Sequence, residues 1–285
     1  MIIKTSDIES VKSIFGKIKL PEKESHKGQN GKVMIVGGSS LFHAASLWAA
    51  EVASHFSDMV HYASTPENEE IFLSLKKVFR NGIIVPQKDL YHYVAEDDAI
   101  LVGPGMMREG KEGERAKEET RKLIKKFPEK RFVFDAGALQ MMEPGWLLGL
   151  KQKPIVTPHQ KEFDQMFGIS IIDKTLEEKE KIVKETAAKY NCIILLKAIV
   201  DILSDGIESY VVEGGNAGLT KGGTGDVLGG LTVSFYAKND ALFSAVAASL
   251  LLKATAEELF KGLGYWYNVR DIIKKLPEKF KELRL

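Results

Sequence analysis

Six short runs of strand-forming residues, each followed by apolar residues at helical spacing, constrain the fold of this chain more than any other feature. They are KVMIVGG at 32–38, MVHYAS at 59–64, AILVG at 99–103, RFVFDAG at 131–137, PIVTPH at 154–159 and CIILLK at 192–197. Runs so uniformly apolar belong to strands covered on both faces, and strand–helix alternation joins parallel neighbours. The spacing therefore predicts an α/β fold, a three-layer α/β/α sandwich on a mostly parallel sheet. Between 192 and 213 the segments CIILLK, VDILSD and ESYVVEG are separated by Gly206 and short polar breaks instead of a helix, which predicts an antiparallel edge. After Gly215 the pattern is helical: VLGGLTVSFYA at 227–237, an apolar-striped segment from Asp240 to Phe260, and an amphipathic segment at 269–283. One domain over 1–285 is expected, with an N-terminal helix at about 1–20, a core at 22–262 and a closing helix at about 269–283. The charged stretch 108–130 reads as the solvated face of a helix.

Charge and composition remove several classes of function. With 40 Lys+Arg against 39 Asp+Glu, the net charge is +1 and there is no one-sign field to hold nucleic acid or an acidic membrane. Cys192 is the single cysteine, so an intrachain disulfide or a multi-cysteine metal cluster is impossible, and a reducing compartment, the cytoplasm, is expected. No run of about 18 apolar residues occurs, and the first twenty residues alternate charged with apolar positions, unlike a secretory signal.

The segment GGNAGLTKGGTGDVLGGLTVSF at 214–235 carries the chemistry. Gly222, Gly223 and Gly225 lack a Cβ, so their amides can turn toward a ligand, and the helix that follows brings the positive end of its dipole. Such a turn suits a phosphate, or the charge on a phosphoryl group in transfer. Asp226 stands where its carboxylate either caps the helix or accepts a proton from a hydroxyl in front of that phosphate; both roles are open. The Gly-Lys-Ser/Thr of a P-loop is missing, and KVMIVGGSSLFHAA at 32–45 lacks the G-x-G-x-x-G of a dinucleotide fold.

Taken in order, KGQNGKVMIVGGSS at 27–40, LVGPG at 101–105, VFDAGAL at 133–139, VTPHQKEF at 156–163, LLK at 195–197 and GGNAGLTKGGTGDVLGG at 214–230 resemble the ADP/ATP-dependent NAD(P)H-hydrate dehydratase family. This carbohydrate-kinase-related group has a ribokinase-like fold. The resemblance implies that a nucleotide phosphorylates the hydroxyl of a hydrated nicotinamide ring, after which loss of phosphate restores NADH or NADPH. It makes Asp226 the base and a substrate contact, with Ala45, Gly105 and His159 also lining the hydrated-nicotinamide site. It assigns Lys197, Ala198, Ile199, Val200 and Asp201, together with Gly222, Gly223, Thr224 and Gly225, to the nucleotide and its phosphates. Glu162 lies near Mg²⁺, the expected cofactor, and Asp135 supports the site. ADP or ATP is the co-substrate, a homo-oligomer is expected, and the epimerase that often accompanies such a domain is expected as a separate protein.

Residue chemistry offers plainer readings beside these. His159 and Glu162 at i, i+3 after Pro158 form either a cleft-facing pair or a capping box, and a zinc site is disfavoured because no third ligand is suggested. Lys197 meets a phosphate or simply reaches solvent from a strand end. The chain also departs from the family pattern at Ala44, Met107, Gly137, Ala198 and Asp201. Ala44 and Met107 take space from the pocket, and Asp201 places negative charge where a nucleotide would approach. Lys221 is expected to offset that charge by reaching a phosphate. These departures keep two alternatives in play: a ribokinase-like kinase of another small alcohol (a sugar, hydroxymethylpyrimidine or thiazole), or a nucleotide-binding relative without catalysis.

Overall fold

The computed structural model describes residues 1–284 and places ten strands in one sheet. The first half of the chain gives β1 (Ile2–Lys4), α1 (Ile8–Gly16), β2 (Lys32–Val36), α2 (Ala44–Phe56), β3 (Met59–Ala63), α3 (Pro66–Leu75), β4 (Gly82–Ile84), α4 (Leu90–Glu96), β5 (Ala99–Val102), α5 (Gly110–Lys126), β6 (Arg131–Phe134) and α6 (Ala136–Met141). The second half gives β7 (Ile155–Val156), α7 (Gln160–Phe167), α8 (Leu176–Tyr190), β8 (Ile193–Leu196), β9 (Asp201–Ser204), β10 (Ser209–Glu213), α9 (Thr224–Tyr236), α10 (Ala241–Leu263) and α11 (Val269–Arg284). The order across the sheet is β1-β10-β9-β8-β7-β6-β5-β2-β3-β4.

Both faces of the sheet are covered, as the continuous apolar runs require. Ile35, Leu101 and Val133 lie in one register row and face the layer that holds α1, α2, α9, α10 and α11. Their neighbours Met34, Ile100 and Phe132 face the layer of α4 to α8. Burying one such side chain contributes about 1.5–3 kcal/mol, so a one-residue slip, which exchanges the two rows, is strongly disfavoured. Among the described residues no helix is long and apolar enough to cross a membrane.

The predicted antiparallel edge is refined: β9 alone runs against the other strands, and β10 pairs on its far side with β1 in parallel. The expected N-terminal helix at about 1–20 is corrected in the same place. Ile2–Lys4 adds a strand to β10, with Ile3 buried, and the helix spans only Ile8–Gly16 after an Asp7 cap that accepts from the Ser10 amide at 3.2 Å. Two β-branched residues beside an open strand edge gain more from pairing than from one further helical turn.

The fold brings five loops to one end of the sheet. The turns after β2, β5, β6, β7 and β8 leave the carboxyl ends of parallel strands, where α/β sheets place ligands. Helix α9 reaches the same end because it packs closely on α2: a Cβ at Gly230 would stand 2.6 Å from the Ala49 carbonyl oxygen.

Candidate active site

Asp135, one residue beyond β6 and 1% exposed, is the anchor of the charged floor. Its Oδ1 accepts from the Lys197 ammonium at 2.7 Å and from the Thr157 hydroxyl at 2.8 Å. Lys197 itself lies 3.9 Å from Glu162 Oε2. Burial works against the Lys197 charge, but Asp135, Glu162 and Asp226 outweigh it and hold the pKa above the ordinary lysine value. The plain reading of Lys197 as a solvent-seeking strand end is therefore set aside: its head group is enclosed among three carboxylates.

Ala136 follows Asp135 at φ +46°, in the left-handed region that costs an L side chain about 1–2 kcal/mol. Ala136→Gly is expected to keep or raise the denaturant midpoint, against the usual loss of about 0.5–1 kcal/mol for Ala→Gly in a helix. A lower midpoint with an unchanged m-value would contradict strain at this turn.

The capping-box reading of His159 and Glu162 holds. The Glu162 amide donates to His159 Nδ1 at 3.1 Å and the His159 amide donates to Glu162 Oε2 at 2.9 Å, a reciprocal capping box on α7. That box fixes the Glu162 carboxylate in the floor, where Gln140 of α6 donates to its Oε1 at 3.0 Å and in turn accepts from Arg108 at 3.2 Å. No spacing in the sequence singles out Gln140, because it meets its partner only in space.

The glycine turn faces this floor. Gly223, at φ +98°, is the N-cap of α9, and no side chain caps the helix. Asp226, three residues further on, is thus not the cap; its half-buried carboxylate lies beside Lys197 and Asp135. Burial and then the Asp135 charge raise its pKa to about 7, against the pull of Lys197. Among the described residues the amides of Gly222, Gly223 and Gly225 donate to no protein acceptor, as the first N–H groups of a helix are left to do. A Cβ at Gly225 would meet only the Lys197 ammonium, at 3.5 Å, and one at Gly222 would meet nothing within 4 Å. The Thr224 hydroxyl, by contrast, is spent on the Leu219 and Lys221 carbonyls at 2.7 and 3.0 Å, so this residue shapes the turn and does not present its side chain.

Ala45 and Gly105 are brought together on the other side of Asp135: a Cβ at Gly105 would stand 3.2 Å from that of Ala45 and 2.9 Å from the Phe42 carbonyl oxygen. Two expectations, for Asp201 and Lys221, are corrected, and the departure at Gly137 acquires a structural reason. Asp201 does not confront a nucleotide; it is 5% exposed, accepts from the Ala198 amide at 2.9 Å and the Ser249 hydroxyl at 2.7 Å, and pairs with Lys253 at 3.6 Å. Lys221 reaches no phosphate position, because its ammonium donates to the Tyr267 carbonyl at 2.7 Å and also to that of Tyr265. Gly137 is packed under Met106, whose Cβ would lie 2.8 Å from a Cβ at this position, so it opens no space in the pocket. In the 198–200 segment Ile199 points outward, 92% exposed.

A bound Mg²⁺ ordinarily keeps several waters and takes one or two carboxylates with phosphate oxygens. Glu162 fits that role, since each of its oxygens accepts a single hydrogen bond and retains a lone pair. Among the described residues no group of three or more His, Cys, Asp or Glu side chains converges as a metal cage.

Comparison with known proteins agrees with the fold and with the family resemblance. The family model described as NAD(P)H-hydrate dehydratase matches residues 33–278. The chain is 32% identical over 269 residues to the bifunctional NAD(P)H-hydrate repair enzyme of Methanocaldococcus jannaschii, covering 91% of this chain and 50% of that one. It is 30% identical to the ADP-dependent (S)-NAD(P)H-hydrate dehydratase of Nitrosopumilus maritimus, covering 91% and 92%. The chain spans about half the length of the bifunctional relatives it matches, 52%, 50% and 51% for three of them. In structure it is similar to the ADP/ATP-dependent NAD(P)H-hydrate dehydratase of Bacillus subtilis co-crystallised with ATP/Mg²⁺, with TM-score 0.80 at 22% identity over 97% of each chain. It is likewise similar to a ribokinase-like superfamily protein of Enterococcus faecalis, with TM-score 0.83 at 22% identity over 99% and 96%.

Proposed function

The chain belongs to the NAD(P)H-hydrate dehydratase family, and from that premise we propose that it restores NADH or NADPH from their hydrates at the expense of ADP or ATP. One observation carries the reading: a half-buried carboxylate with a pKa near 7, Asp226, sits beside an enclosed ammonium and a row of unpartnered amides at the start of α9.

The steps follow from what those groups can do. The amides of Gly222, Gly223 and Gly225 receive the terminal phosphate, and Asp226 accepts the proton of the ring hydroxyl as its oxygen attacks phosphorus. The P–O bond to the nucleotide breaks and leaves AMP or ADP. Phosphate then departs with the C–O bonding pair, the ring nitrogen supplies electrons, and a proton leaves the neighbouring carbon to reform the double bond. Lys197 holds charge near the transferring group, although its bond to Asp135 fixes it as part of the floor. Glu162 is the residue that would hold Mg²⁺, which supplies charge neutralisation on the phosphates. Ala45, Gly105 and His159 would line the nicotinamide side, and the 198–200 segment the nucleotide side.

With Asp201 neutralised and Gly137 packed away, neither residue argues for a different alcohol. Incubating the protein with hydrated NADH, Mg²⁺ and ADP or ATP is expected to recover the nicotinamide absorbance with one inorganic phosphate released per NADH. Retention of the phosphate as an ester would identify a kinase instead, and nucleotide binding without either product would identify an inactive relative. A cytoplasmic location and a homo-oligomer remain part of this proposal, the latter tested by light scattering of the purified chain.

A further inference from the structure

We propose that Lys253 and Asp201 form a buried positioning device that sets the width of the slot for the adenosine half of the nucleotide; the inference rests on the nucleotide-dependent reading above. Lys253 interrupts the apolar stripe of α10 and is 4% exposed. An ammonium so buried is costly unless its charge and donors are all met. Its Nζ donates to the Ile199 carbonyl at 2.8 Å, lies 3.5 Å from the carbonyls of Ala198 and Gly214, and stands 3.6 Å from Asp201 Oδ1. One charge therefore spans two loops, 198–200 beyond β8, which the resemblance assigns to the nucleotide, and 214–215 leading into the glycine turn.

A second anchor lies one turn along α10. Glu257 Oε1 accepts from the Gly215 amide at 2.8 Å and from the Thr5 hydroxyl at 2.7 Å. The Asn216 amide group donates to the Ala256 carbonyl at 2.9 Å. Gly215 rests on the lysine stem, where a Cβ would come within 3.2 Å of Lys253 Cγ. Since the Ile199 carbonyl is drawn inward, the side chain of that residue faces out. Each loop also has local bonds, so what Lys253 adds is their separation. A nucleotide lying between the loops depends on that separation, whereas the nicotinamide side beyond Asp135 does not.

The test is the double variant Lys253→Met/Asp201→Asn, which removes both charges together and so leaves no buried charge unpaired. Calorimetric titration with ADP and Mg²⁺ is expected to show a Kd weakened by about tenfold or more, the scale for losing a charge-assisted contact. Fluorescence titration with NADH is expected to change by less than about twofold, and KM for nucleotide should rise while kcat falls by no more than about threefold. An unchanged ADP affinity in the folded variant overturns the proposal, as does equal weakening for ADP and NADH. If the double variant does not fold, Ser249→Ala, which removes one donor to Asp201, is expected to weaken ADP by about twofold to fivefold, and no change overturns the proposal. A wild-type protein that binds ADP without restoring NADH would remove the dehydratase reading alone, because this inference is read from ADP binding.

Discussion

Asp226→Asn is expected to lower the turnover of hydrated NADH by about 10²–10⁴-fold, the range associated with losing a positioned general base. The same change should make the protein harder to unfold at neutral and alkaline pH. The two effects share a cause: burial and the Asp135 charge hold the Asp226 pKa at about 7, well above the ordinary 3.8. A carboxyl whose folded pKa is raised favours the fold in its protonated form. That advantage is full below about pH 4 and is lost as pH rises through about 7. A shift of this size is worth about 4 kcal/mol in a dry site, and partial exposure of the group to water reduces it to roughly 1–3 kcal/mol. Asparagine keeps the shape and never ionises, so denaturant melts should show a gain at pH 8 that shrinks toward pH 5. The wild-type kcat/KM should rise with pH through about 7 and then level, because the base acts only when ionised, and the variant should lack that limb. Retained activity in Asp226→Asn would remove the base; lost activity without the stability gain would mean that the carboxylate is not desolvated.

The readable part of this molecule is the part fixed by local chemistry. The apolar runs of β2, β5, β6 and β8 announce two covered faces, and the Asp205–Gly206 break announces the reversal into β10, where Asp205 Oδ1 accepts from the Ile207 and Glu208 amides at 2.8 Å. Strands β1 and β4, of three residues each, give too short a pattern to register. In the site, Asp226, Lys197, His159 and Glu162 were legible because glycine, proline and strand-end positions frame them. Asp201 and Lys221 were visible as charges but not as pairs. The partner of Asp201 lies 52 positions away at Lys253, and the carbonyls that bind Lys221 lie 44 and 46 positions away. Gln140 is 22 positions from Glu162 and carries no charge pattern at all. Periodicity reports which face a residue occupies, whereas the sign of a local field depends on partners that only the folded chain assembles.

Lys197→Met is expected to cost stability as well as rate, and the two losses are separable. Methionine matches the length of the stem but leaves Asp135, 1% exposed, with only the Thr157 hydroxyl on its Oδ1. Removing one partner of a buried ion pair destabilises by about 3–5 kcal/mol, because the remaining charge is left uncompensated. Turnover should fall by about 10²–10³-fold, the scale for deleting one preorganised electrostatic contact. Loss of the ammonium also removes a charge that lowers the Asp226 pKa, so the limb of any residual pH–rate profile moves to the alkaline side of 7. Adding Asp135→Asn to Lys197→Met removes the stranded charge and should recover most of the stability while leaving activity low. Recovery of both would make Lys197 a structural counter-ion only, and a single variant as stable as the wild type at pH 8 would mean that the Asp135 pair does not carry the load its 2.7 Å geometry implies.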